Sequence, residues 1–137
     1  MRSFAILLFV TASLVASTPS KTAPKTAGGA PSRKAGAMVA RVWRGRVPAA
    51  RADEYAKYLY ENGPVKMRRI AGNLGVEQLR RDVGNTTEFM VISYWPDRES
   101  IKAFAGAEIE KTHFLPRDRE FLIDPEETVR HYDIATP

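Results

Sequence analysis

Glu88-Phe89-Met90-Val91-Ile92-Ser93-Tyr94-Trp95 is apolar on both faces of the strand it has to form. Side chains alternate across a strand, so Phe89, Val91 and Ser93 point one way and Met90, Ile92 and Tyr94 the other. A half-buried strand shows one wet face, and this one shows none. Each side therefore needs a cover. The chain around it offers two substantial helical stretches, enough for one face of a small sheet. The second face calls for a partner subunit, a ligand or both. Alternation alone leaves open whether that face carries Phe89/Val91 or Met90/Ile92. A carboxylate at Val91 is expected to split a dimer or unfold the domain, because an unpaired buried charge is costly.

Upstream, Val76 to Val83 reads as a strand joined to this one through Gly84-Asn85, which makes a hairpin. Met38 to Val47 alternates and stops at Pro48, a further strand. Tyr55, Tyr58, Leu59 and Asn62 then recur at helical spacing until Gly63-Pro64, and Val65 to Ile70 continues for another turn before Gly72-Asn73. Downstream, Asp97 is an N-cap for a helix whose apolar face is Ile101, Phe104 and Ala105, and Gly106 closes it. Pro116 to Ile123 reads as a short helix and Glu126 to Ile134 as the last strand. The order β-α-β-β-α-β predicts an α+β, ferredoxin-like domain with a four-stranded antiparallel sheet and helices on one face. A symmetric dimer laying two open faces together would remove the apolar patch that remains.

The 137 residues suit a single domain, and the net charge of +5 is unevenly placed. Residues 1–37 hold Arg2, Lys21, Lys25, Arg33 and Lys34 and no acid, so the remainder is formally neutral. A basic tail outside the domain argues against nucleic acid as a partner. Arg2, the apolar run Phe4–Ala16 and the small residues Val15-Ala16-Ser17 have the layout of a signal peptide over 1–17. That run is shorter than the about 20 residues of a membrane span, so no membrane association is expected once the leader is cleaved. Residues 18–37 have a linker composition, and 38–135 form the domain. An organelle transit peptide, or a true start at Met38 with a cytoplasmic protein, are the alternatives to export. With no cysteine, disulfides, thiolate metal sites and a Cys nucleophile are excluded.

Four segments together resemble the antibiotic-biosynthesis-monooxygenase-like family of the dimeric α/β-barrel superfamily. They are Ala40-Arg-Val-Trp-Arg-Gly-Arg46, Gly72-Asn73-Leu-Gly75-Val76, Ser93-Tyr-Trp95 with Ile101-Lys-Ala-Phe104, and His131-Tyr132. The resemblance implies two subunits paired sheet to sheet, each with a cavity between sheet and helices. It also implies cofactor-independent oxygenation of a small aromatic or quinol-like substrate, or haem degradation. The haem degraders use an Asn in the first strand, a Trp in the second helix and a His just after it. Here the first strand has no Asn, the helix position is Phe104, and His113 lies within one residue of the expected His, one partial match in three. A non-catalytic ligand-binding or stress-related protein is the rival reading.

Residue chemistry singles out candidates. Arg41 is a cation on an otherwise apolar strand, suited to an oxyanion or carboxylate if it faces the cavity and to a salt bridge otherwise. His131 on the last strand and His113 near the cavity mouth are candidate general bases for a phenol. Trp43, Tyr55, Tyr58, Tyr94 and Phe104 are candidate pocket walls, with core packing the plainer role for each. Two His without E-x-x-H or H-x-E spacing make no metal signature. Arg80 and Arg81, being adjacent, lie on opposite faces and make no joint clamp.

Overall fold

The computed structural model describes residues 38–136, and the leader and linker expected over residues 1–37 lie outside them. The elements are β1 (Val39–Pro48), α1 (Ala52–Asn62) after a 3-10 turn at Ala49–Arg51, α2 (Pro64–Met67), β2 (Gly75–Val83), β3 (Thr86–Trp95), α3 (Arg98–Ala105), α4 (Asp118–Phe121) and β4 (Arg130–Asp133). The four strands form one antiparallel sheet in the order β2-β3-β1-β4. That order, with the two β-α-β halves interleaved, is the ferredoxin-like arrangement.

Local chemistry explains the boundaries. Gly84 holds φ at +59° in the two-residue turn between Val83 and Thr86, a conformation that glycine reaches without a Cβ penalty. Asp97 accepts the backbone N–H of Ser100 at 2.8 Å and caps α3. Pro64 starts α2 where its missing N–H is no loss. Asp53 and Glu54 put negative charge in the first turn of α1, where the helix dipole favours it.

The central strand β3 resolves which face is which. Thr87, Phe89, Val91, Ser93 and Trp95 are all buried under the helices, whereas Glu88, Met90, Ile92 and Tyr94 are half-buried on the open side. Phe89 and Val91 join Val39, Trp43, Val47, Tyr55, Leu59 and Ile101 in the core. The open face therefore carries Met90 and Ile92, in register with Val42 and Leu79. This corrects the expectation placed on Val91, which packs in the core and does not probe a subunit interface.

Two further expectations need trimming. The last strand pairs with β1 only over Arg130–Asp133. Its upstream half turns away to the loop after α3, with Thr128 bridging Lys111 and Val129 N–H donating to Glu110 O at 2.8 Å. The short helix after Pro116 is the single turn Asp118–Phe121. Among the described residues no helix is long and apolar enough to cross a membrane.

Candidate functional site

Strand register brings a polar row onto the helix-covered side of the sheet. Ser93 of β3 faces Arg41 of β1, which in turn faces His131 of β4. All three side chains are buried in a largely apolar layer. Above this row lies a cavity of about 30 Å³, lined by Arg41, Trp43, Ser93, Phe104, His113 and Asp118 together with aliphatic side chains of α1, α2 and β3. A space of this size holds about two waters or a comparably small group.

Arg41 is 4 % exposed. One guanidinium nitrogen, Nη2, donates to the carbonyl of Lys111 at 3.1 Å, and the Phe104 ring lies 5.4 Å from the guanidinium carbon. Nε is buried with no hydrogen-bond partner, and among the described residues Arg41 forms no ion pair. Burial pulls its pKa down to about 10, against a smaller opposing pull from Glu110. It stays charged at neutral pH.

The two histidines are placed differently. His113 lines the cavity and packs its ring on Phe104, centroids 4.8 Å apart. His131 lies beside Arg41 but outside the cavity lining. Its Nδ1 is 3.8 Å from Glu110 Oε1 and its Nε2 is buried without a partner. Burial pushes the His131 pKa below its ordinary value and the Arg41 charge adds to this, with Glu110 opposing. It is therefore a neutral imidazole at neutral pH.

Asp118 is the carboxylate of the site. Oδ1 accepts from the Tyr55 hydroxyl at 3.0 Å and Oδ2 accepts from Leu115 N–H at 2.7 Å. Burial raises its pKa, while those two bonds and the nearby His113 act the other way. Sequence reading passed over Asp118 because it sits in the charged run Arg117-Asp118-Arg119-Glu120, where a surface helix start is the simplest role. Ser93 was passed over too. Its hydroxyl accepts from Trp95 Nε1 at 2.9 Å.

Of the expected pocket walls, Trp43 and Phe104 line the cavity. Tyr55 does not: it is a core residue that braces Asp118 and packs edge-on to Phe89. Tyr58 stacks on Phe121, and its hydroxyl accepts from Arg117 N–H at 2.8 Å, away from the cavity. Tyr94 points to the opposite face and donates to Glu77 at 2.8 Å. Burial of Tyr55 beside Asp118 raises its pKa far above the ordinary phenol, so it is a permanent donor.

A larger hollow, about 700 Å³, opens on the uncovered sheet face among Arg44, Arg46, Leu79, Arg81, Met90 and Ile123. Its cations are matched by acids: Arg44 by Glu126, Arg46 by Asp124, and Arg81 by Glu88. The interior pocket, by contrast, holds a cation without a contact counter-ion. No group of three or more potential metal ligands lies among the described residues.

The interleaved sheet, with its helices on one face and a small polar cavity beneath them, defines the class of ferredoxin-like α+β domains. The family model for antibiotic biosynthesis monooxygenases matches residues 38–113, more than half of the chain, and the chain belongs to that family. Solved structures share the fold. A candidate antibiotic biosynthesis monooxygenase from Nitrosomonas europaea is 20 % identical with a TM-score of 0.55, over 74 % of this chain and 94 % of its own. One from Bacillus cereus is 14 % identical with a TM-score of 0.54, over 74 % of this chain and 97 % of its own. The haem degrader MhuD of Mycobacterium tuberculosis, solved with two haems bound in its active site, is 17 % identical with a TM-score of 0.50, over 73 % and 97 %. A search of the curated proteins found no match.

Proposed function

We propose that the protein binds a small organic ligand in the cavity beneath its helices. As an enzyme, it would be a cofactor-independent monooxygenase of a phenolic or quinol-like substrate. The observation that carries this reading is the convergence of a buried cation, a histidine and two aromatic walls on one interior space. Catalysis would need a base to remove a proton from the substrate, and His113 is the better-placed candidate because it faces the cavity. The carbanion would react with dioxygen. One oxygen atom would become a ring carbonyl and the other would leave as water, taking the hydrogen of that carbon and the phenolic proton. Arg41 would stabilise the oxyanion formed on the way.

Haem does not fit the residues present. A macrocycle far exceeds about 30 Å³, and Phe104 occupies the cavity wall with its ring against His113. A ring-sized substrate also requires Phe104 and the loop after α3 to give way. We infer a homodimer through the open sheet face, supported by the exposed or half-buried Leu79, Met90, Ile92 and Tyr132. Export of the domain, supported by the leader-like residues 1–17, is part of the same reading.

An oxygen electrode tests the enzymic form with a panel of anthrones and hydroquinones. The expected result is uptake above the uncatalysed rate with at least one member. Exchanging His113 for Ala would lower it by about 10²–10⁴-fold. No uptake with any of them leaves the binding role and removes the oxygenase.

A further inference from the structure

The geometry points to a monoanionic head group, a carboxylate or a phenolate oxygen, as what this pocket recognises, held on the Nε edge of Arg41. The inference rests on the cavity being the ligand site and adds what that ligand must carry. The guanidinium is fixed on two sides, by the Lys111 carbonyl on Nη2 and by the Phe104 ring near its carbon. Nε–H is the buried donor left over. A buried charge normally keeps a counter-ion in contact. The acids nearby do not serve. Both oxygens of Asp118 are committed, one to Tyr55 and one to Leu115 N–H. Glu110 has a side chain 68 % exposed and leans toward His131 at 3.8 Å, not onto Arg41. His131 beside it adds no negative charge. Arg41 is thus a buried cation with no counter-ion in contact among the described residues, because the other buried charge of the lining, Asp118, is held by neutral donors instead. The cavity of about 30 Å³ matches a head group of a few atoms, not a ring system. Charge-assisted bonds to guanidinium are short and strong, so such an anion would outcompete a neutral amide of the same shape.

The test uses the whole protein, with benzoate and acetate as anions and benzamide and acetamide as neutral isosteres. Titrations are followed by the Nε–H resonance of Arg41 in a nitrogen–proton correlation spectrum and by Trp fluorescence. Benzoate or acetate should shift the Arg41 Nε–H signal at saturable concentration, and the amides should not. Arg41→Gln should weaken anion binding by roughly ten- to a hundredfold, in line with hydrogen bonds to charged groups. Arg41→Lys, which keeps the charge but lacks the Nε edge, should weaken it less. The wild-type resonance decides the matter even if both variants unfold. Equal binding of amides and anions in the cavity would overturn the charge assignment while leaving the pocket as the ligand site. Anions that perturb only the open-face arginines would overturn it as well. Failure of every probe to move Arg41 or Trp43 would sink this inference and the proposed site together.

Discussion

A Cβ added to Gly45 would lie 2.5 Å from Cη2 of Trp43 and 2.8 Å from Cδ2 of Leu122. Trp43 and Gly45 share the helix-covered side of β1, and the indole lies across the glycine instead of standing off the sheet. The missing methyl therefore sets where one wall of the cavity stands. Gly45→Ala should push the indole toward the cavity, cost about 1–3 kcal/mol by overpacking and shift Trp emission. An unchanged urea midpoint and spectrum would show that the indole has room to spare. The site was legible unevenly at this scale. Arg41 stood out because a cation on an apolar strand has few bland explanations, and Trp43 followed from its i+2 spacing. Asp118 left no signal, since its partner Tyr55 is 63 residues away and only the fold joins them. Tyr94 was misplaced because the sequence gives its alternation but not which side the helices take.

At the scale of elements, β3 carries two kinds of apolar residue with different fates. Val91 is buried in the core beneath the helices, and Ile92 is half-buried on the open side. Val91→Asp should unfold the domain, because an unpaired interior carboxylate costs several kcal/mol. Ile92→Asp should leave a folded domain whose sedimentation shows monomer. If both variants unfold alike, or if Ile92→Asp remains an associated species, the open face is not the interface. The element order was readable because each boundary has local chemistry, from Pro48 and Gly63-Pro64 to the Asp97 cap. The last strand was overdrawn. Residues 126–129 run straight into the strand in sequence, yet they pair with the loop after α3, and long-range pairing of this sort has no local code.

For the whole molecule, the two faces of the sheet differ in kind. Its helix-covered side holds a polar row of Ser93, Arg41 and His131 under a small cavity. Its other side is an apolar strip edged by paired arginines and acids. One face would bind the ligand and the other a second copy. The fold needed both observations to be read in full, since two-sided burial of β3 told of a cover without saying what it was. The proposed function turns on which side of the sheet takes the ligand. Crystals soaked with a small aromatic acid answer that directly. Density is predicted between Trp43 and Phe104, with an acid oxygen within hydrogen-bonding distance of Arg41 Nε and Phe104 displaced. Density confined to the open-face hollow around Arg44 and Arg81, with the inner cavity unaltered, would contradict it.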